Sequence, residues 1–285
     1  MAKTYNELYM NARKALRNGG IEASSLEARE LICYAAGKDH NSFFQYASLY
    51  ATDDIELRLN DLVARRLSGE PAAYLIGEWE FYGMPLDISR DVLIPRADTE
   101  VIAERAIEIA SAKGSECRVL DLCAGSGCIG LAVAKHVPQA RVVLADVSEE
   151  ALHICRQNGR RNNLNKNIMV LRADALHDPL PMLGTFDLIV SNPPYIRSGD
   201  IAGLDPSVRD YEPHLALDGG EDGLDFYRAI AERWQRILRP NGVLLFEVGY
   251  DQADAVEQIL IRNNYHDINT LRDTQGIWRV VEGCQ

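Results

Sequence analysis

From Arg118 onward, short apolar runs alternate with helical segments, and this alternation restricts the fold more than any other feature of the chain. The run "RVLDLC" leads through a glycine-rich turn into "GCIGLAVAKHV", and "RVVLAD" leads into "SEEALHICRQNGRRN". "IMVLRAD" and "FDLIVSN" follow, then the helical "DGLDFYRAIAERWQRIL", the strand "GVLLFEVG" and the helical "DQADAVEQILIRNN". Parallel neighbours need a crossover of about a dozen residues, usually a helix, so repeated units of this kind specify a parallel sheet covered on both faces. The last two strands, near "YHDINTL" and "GIWRVVE", are joined only by the turn Arg272–Gln275, which is short enough for an antiparallel hairpin alone. The expectation is an α/β fold with a seven-stranded, mostly parallel sheet ending in an antiparallel hairpin.

The rest of the chain differs in character. Residues 1–75 carry helical periodicity, with Leu8, Ala12, Ala15 and Leu16 on one face before the Gly19-Gly20 stop. "SSLEARELICYAAG" reads as a helix with a Ser cap ending at Gly37, and "DDIELRLNDLVARRLSGEP" as one starting at Asp53 or Asp54 and stopping at Gly69-Glu70-Pro71. Residues 76–95 belong to a stretch of aromatic and β-branched residues around Gly83-Met84-Pro85, which reads as a hairpin linker. Residues 96–285 open with "RADTEVIAERAIEIA", a helix for which Asp98 or Thr99 is the expected cap. The layout is therefore a small all-α domain, a linker and the α/β domain.

Charge and cysteine content exclude some partners. The 42 acidic against 30 basic side chains give a net charge of -12, which opposes a long grip on a nucleic-acid backbone. The six cysteines are scattered, with no C-x-x-C and no histidines at zinc spacing, so no metal is expected. No apolar run approaches the about 18 residues of a membrane span, and "MAKTYNELYMNARKAL" is amphipathic without a signal-like apolar core, so a cytoplasmic protein is expected.

The first turn of the alternating half reads Asp121-Leu122-Cys123-Ala124-Gly125-Ser126-Gly127-Cys128-Ile129-Gly130. Gly125, Gly127 and Gly130 satisfy G-x-G-x-x-G, and Asp146 ends the next strand 21 residues after Gly125, the arrangement of a dinucleotide fingerprint. Asp121 argues against a dinucleotide, because a carboxylate at the tip of the first strand repels a pyrophosphate. A ligand with an ammonium, a sulfonium and no phosphate suits it better, and S-adenosylmethionine is such a ligand. Asp146 is then placed for the ribose hydroxyls, and Asp174, ending the third strand, for the adenine. Capping the following helix is the rival role for Asp146, and Ser148 is the alternative cap.

At the end of the fourth strand stands Ser191-Asn192-Pro193-Pro194-Tyr195. Two prolines donate nothing, so the corner is rigid and rich in acceptors. Asn192 and the Pro193 carbonyl together can accept both hydrogens of a planar NH2 group, favouring pyramidalisation and aiming its lone pair. Tyr195 offers a face for a flat group. No His or Glu flanks the motif, consistent with a proton that leaves only after methyl transfer.

These motifs resemble the amino methyltransferases that act on planar NH2 groups, and the whole chain resembles one branch, the PrmC/HemK-type release factor glutamine N5-methyltransferases. "GEPAAYLIGEWEFYGMPL", "VLIPRADTE", "VLDLCAGSGCI", "DLIVSNPPYI", "EPHLALDGGEDGLDFYR" and "DTQGIWRVV" match that family's blocks in order. The resemblance implies the class I methyltransferase fold and a helical domain that docks the substrate. It also implies transfer of a methyl group from S-adenosylmethionine to the glutamine of the Gly-Gly-Gln tip of class-1 peptide release factors. Asn192, Pro193, Pro194 and Tyr195 would hold that glutamine, with Arg96 and Glu212 bordering the site or simply pairing with each other as structural ions. Asp121, Cys123, Ala124, Gly125, Ser126, Gly127, Asp146, Asp174, Ala175 and Asn192 would line the cofactor site. Cys123 and Ala124 stand where the family commonly has Gly-Thr, and Ala175 where some members carry an aromatic ring, so adenine stacking must come from elsewhere. A monomer with no membrane and no direct nucleic-acid partner is expected. The alternatives are a ribosomal-protein glutamine methyltransferase, an N6-adenine DNA methyltransferase, for which a basic recognition region is missing, and a non-catalytic dinucleotide-binding module.

Overall fold

The structure is a computed structural model that describes residues 2–39, 42–114 and 116–285. It divides into two compact units, residues 1–78 with 206–211, and residues 79–205 with 212–285.

The first unit contains α1 (Tyr5–Asn18), α2 (Ser24–Ala36), α3 (Phe43–Tyr46), α4 (Asp53–Leu67) and α5 (Ala72–Ile76). Each longer helix buries one stripe, and Leu16, Leu31, Ile32 and Leu59 meet in a common core. Thr4 and Glu7 form a reciprocal capping box at the start of α1, and Gly37 closes α2 in the left-handed conformation. One expectation changes: Ala23, not a serine, precedes α2 and gives no side-chain cap. Residues 72–76 add a short closing helix to the helical unit. The inclusion of residues 206–211 in this unit has no local sequence signal.

The second unit begins with the hairpin β1 (Glu78–Phe81) and β2 (Met84–Asp87). Its turn is Tyr82-Gly83, both at positive φ, the geometry that matches the twist of a two-residue hairpin. Then follow α6 (Glu100–Lys113), β3 (Arg118–Leu122), α7 (Cys128–His136), β4 (Arg141–Asp146), α8 (Glu149–Arg161), β5 (Ile168–Arg172) and β6 (Phe186–Ser191). The short α9 (Pro206–Arg209) belongs to the first unit, and α10 (Asp225–Arg233), β7 (Leu238–Glu247), α11 (Ala253–Arg262), β8 (His266–Arg272) and β9 (Trp278–Cys284) complete the second.

The strand order is β5-β4-β3-β6-β7-β9-β8, with β3, β4, β5, β6 and β7 parallel and β9 antiparallel to both β7 and β8. This is the expected seven-stranded sheet with its terminal hairpin. Leu120, Ile189, Leu244 and Phe246 are fully buried in its core, and Tyr227 of α10 meets Phe246 edge to face at 5.1 Å. The order reverses at β3, which pairs with both β4 and β6, so the turns leaving β3, β4 and β6 open side by side. A crevice at the carboxyl ends of strands around such a switch point is where open α/β sheets bind ligands.

Candidate functional site

Strand register brings the separated motifs together. Leu122 lies opposite both Ala145 and Ser191, so the loop after β3, Asp146 and Asn192 emerge at one edge. The Ser191 hydroxyl donates to the Leu122 carbonyl at 2.6 Å and locks the two strand ends. One cavity opens there, lined by Cys123, Ala124, Gly125, Ser126, Asp146, Asp174, Ala175, Asn192, Pro194 and Arg96, among others. Gly127, Pro193, Tyr195, Asp121 and Glu212 stand outside its wall.

The glycine loop turns with Cys123, Gly125 and Gly127 all at positive φ. A left-handed cysteine costs roughly 1 kcal/mol relative to glycine, so the loop carries strain at this position. Asp146 secures this loop: Oδ2 accepts from Gly125 N–H at 2.9 Å and Oδ1 from Ser148 N–H at 3.0 Å. Ser148 caps α8, its Oγ accepting from Ala151 N–H at 3.1 Å, so Asp146 is free of capping and lines the cavity. Burial raises the Asp146 carboxyl, opposed by its backbone donors.

Asp121 lies beneath the loop, not on the cavity wall, at 1 % exposure. Its Oδ2 accepts from Gly130 N–H at 2.8 Å while Oδ1 has no partner. Burial pushes this carboxyl up to about 7, with Asp146 adding a like charge. The protonated form is favoured in the fold, so the stability it contributes is complete below the ordinary carboxylate range near 4 and lost as pH rises to about 7. Asp121→Asn keeps an acceptor for Gly130 and removes the titration. Urea unfolding should show the variant gaining on wild type by about 3 kcal/mol between pH 4 and pH 8, with the gain flat above pH 7; equal pH slopes would contradict it.

Asp174 accepts from Leu176 N–H at 2.9 Å and contacts His177 Nδ1 at 2.9 Å, leaving it on the cavity rim. Ala175 is buried, and its carbonyl accepts from Trp234 Nε1 at 3.1 Å. Phe226, on α10, is a ring in the cavity wall that the sequence reading did not single out.

The acceptor corner is clasped from behind. Ile196 N–H donates to Leu217 O at 3.0 Å and Gly219 N–H to Ile196 O at 2.8 Å, so the "EPHLALDGGEDG" segment runs alongside the proline corner. Gln252, 4 % exposed, donates through Nε2 to the carbonyls of Tyr195 at 2.9 Å and Gly223 at 3.2 Å. Its Oε1 accepts from Gly249 N–H at 3.0 Å. Burial pushes the Tyr195 hydroxyl up to about 12. Arg96 and Glu212 pair with each other, as the structural reading allowed; Glu212 is buried, which raises its carboxyl despite the arginine.

Three expectations need correction. Thr99 holds the N-cap position of α6 but gives it no side-chain hydrogen bond, being a buried residue of the cavity wall, and Asp98 instead accepts from Arg279 Nη2 at 3.0 Å. The segment after the hairpin is more than a connector, because Asp91, Val92 and Pro95 line the cavity. Asn158 of α8 ties that hairpin to the glycine loop, accepting from Asp87 N–H at 2.6 Å and donating to Ser126 O at 3.0 Å. Finally, a glutamate does stand beside the acceptor corner: Glu247, at the end of β7. The only sequence signal for it is one acid closing the apolar run "GVLLFE".

Among the described residues no group of three or more His, Cys, Asp or Glu is arranged to hold a metal, and no helix is long and apolar enough to cross a membrane.

Residues 102–204 match the methyltransferase small domain family, and residues 7–77 match the PrmC N-terminal domain family. A release factor glutamine methyltransferase from Geobacter sulfurreducens is 41% identical, over 95% of this chain and 93% of its own. One from Thermodesulfovibrio yellowstonii is 37% identical over 90% of each chain. The solved structure of a methyltransferase from Pyrococcus furiosus, 19% identical, aligns with TM-score 0.52 over 79% of this chain and 98% of that one, a likeness of fold. With relatives of this identity spanning nearly its whole length, the chain belongs to the release factor glutamine methyltransferase family.

Proposed function

We propose that this protein methylates the side-chain nitrogen of the glutamine in the Gly-Gly-Gln tip of class-1 release factors, using S-adenosylmethionine and no metal. The observation that carries this reading is that Asn192 shares one cavity wall with the glycine loop and Asp146.

The residues present suit the methyl donor. Gly125 and Ser126 line the cavity with little side chain, Asp146 can accept from ribose hydroxyls, and Asp121 beneath the loop, in its ionised form, would favour a cation and oppose a phosphate. Bound there, S-adenosylmethionine supplies an electrophilic methyl group. Asn192 Oδ1 and the Pro193 carbonyl would accept the two hydrogens of the substrate carboxamide. These acceptors strengthen as positive charge develops on nitrogen, and they aim its lone pair into the cavity. The nitrogen lone pair forms the new N–C bond, the C–S electron pair stays on sulfur, and one amide proton departs afterwards. Pro194, Tyr195, Arg96 and Glu212 would shape the entrance, with the helical unit docking the release factor and the chain acting as a monomer in the cytoplasm. The net charge of -12 supports a protein substrate over a nucleic-acid one.

Labelled methyl donor offered with intact release factor, with a release factor whose tip glutamine is alanine, with ribosomal protein and with duplex DNA separates the readings. Label is expected in the intact release factor alone. Label in DNA or ribosomal protein, or in the alanine variant at the wild-type level, overturns the proposal.

A further inference from the structure

Glu247 is 3 % exposed, and its Oε2 has no hydrogen-bond partner. Phe246 pairs with Ser191 in the sheet, so the next residues, Glu247 and Asn192, leave the two strands together. The Asn192 amide and the Thr99 hydroxyl are near enough to the carboxyl to favour its charged form, and both residues line the cavity, whereas Glu247 itself does not. The nearby cation, Arg279 of β9, is committed elsewhere, with Nη2 on Asp98 and Nε on Asp273, each at 3.0 Å. A buried carboxylate without a dedicated cation destabilises a fold, and an apolar residue of similar size would be tolerated at least as well. Fold stability therefore gives no reason for an acid at this position.

The Asn192 side chain has an acceptor end and a donor end, and only one of them is useful to a substrate NH2. A carboxylate accepts and never donates, so it draws the Asn192 NH2 toward itself. We propose that Glu247 is a positioning residue for methyl transfer: from the end of β7 it holds the Asn192 Nδ2 hydrogens and thereby turns Asn192 Oδ1 into the cavity to accept from the substrate amide. This inference rests on the function proposed above for the chemistry it serves, although the amide orientation itself is a property of the free protein.

Protonation reverses the preference, because a carboxylic acid can donate to Oδ1 and allow the flipped amide. Burial pushes Glu247 up to about 7. The groups that face it are Arg279 from β9, which favours the charged form, and Asp98 from the turn before α6, which opposes it. Tyr195 of the corner, Tyr227 of α10 and Cys128 of α7 also feel its charge. All three are held neutral by burial across the working range. Oriented Asn192, and with it kcat, is therefore expected to rise with pH through about 7.

Glu247→Gln and Glu247→Met test this. With release factor as substrate, Glu247→Met should lower kcat about 100-fold, the order expected for losing one preorganised transition-state contact, while donor Kd and release-factor KM stay within about threefold. Glu247→Gln, which can serve either amide orientation, should retain more of kcat than Met and lose the acid limb of the pH profile. In the free protein, the Asn192 side-chain NH2 signals in an asparagine-labelled sample should titrate near pH 7 in wild type and stay fixed in Glu247→Gln. Wild-type kcat in Glu247→Met, a preserved acid limb in Glu247→Gln, or Asn192 signals that do not titrate in wild type would each overturn the assignment. The signal measurement needs no substrate, so a wild-type protein inactive on release factor would sink the proposed function while leaving this one decided separately. A purely structural carboxylate would move the melting temperature and leave both pH readouts unchanged.

Discussion

Asn192→Ala is expected to lower kcat for release-factor methylation by about two to three orders of magnitude, with donor Kd changed less than about fivefold. The reasoning starts with the substrate. An amide nitrogen delocalises its lone pair, so the transition state must recruit that pair while positive charge grows on the NH2 hydrogens. Groups that bind those hydrogens more strongly at that moment accelerate the step, and groups that bind ground state and transition state equally do not. On the proposed reading, alanine would remove one of the two acceptors and leave the Pro193 carbonyl, which the ring holds in place. The loop, Asp146 and the Asp121 carboxylate beneath it are untouched, so donor binding should persist. Paired measurements of donor affinity by calorimetry and of single-turnover kcat check the split. A variant that loses donor affinity and keeps kcat would move Asn192 from the reacting amide to the cofactor.

How much of this was legible in the sequence depends on the range of the signal. The sheet, its terminal hairpin and the glycine loop were readable because period, glycine spacing and turn length are local properties. The left-handed conformation of Cys123 was not anticipated: the residues said only that its backbone is less free than a glycine's. Helix starts were less so. Ser24, Asp98 and Thr99 have the composition of caps, but Ser24 lies inside α2, Asp98 is taken by Arg279, far along the chain, and Thr99 packs into the cavity wall. The support around the acceptor corner was not readable at all. Glu247 reaches Asn192 through the pairing of β6 with β7, and Gln252 reaches the Tyr195 carbonyl across 57 positions. Neither residue has a local motif, because a single buried polar side chain takes its meaning from a register that only the folded sheet defines. The same holds for residues 206–211, which group with the helical unit although the sequence places them in the α/β domain.

Gly223→Ala should cost about 2–4 kcal/mol of stability and at least tenfold in kcat, for two reasons that add. Gly223 has φ +74, a conformation that costs an alanine roughly 1 kcal/mol. Its added Cβ would lie 2.4 Å from the Tyr195 carbonyl oxygen and 2.8 Å from Gln252 Nε2, the donor that holds that same carbonyl. Backbone cannot retreat as a flexible side-chain end can, so the methyl must push the acceptor corner toward the cavity or break the Gln252 bridge. Either outcome moves Asn192 and the Pro193 carbonyl together, and a displacement near 1 Å in a positioned pair is enough for a rate loss of about 100-fold. The glycine loop and Asp146 lie on other strands, so donor affinity should stay within a few-fold. Urea unfolding, donor titration and kcat on one preparation distinguish this from general unfolding. A stable variant with wild-type kcat would mean that the corner tolerates movement and that its acceptors act without fixed geometry.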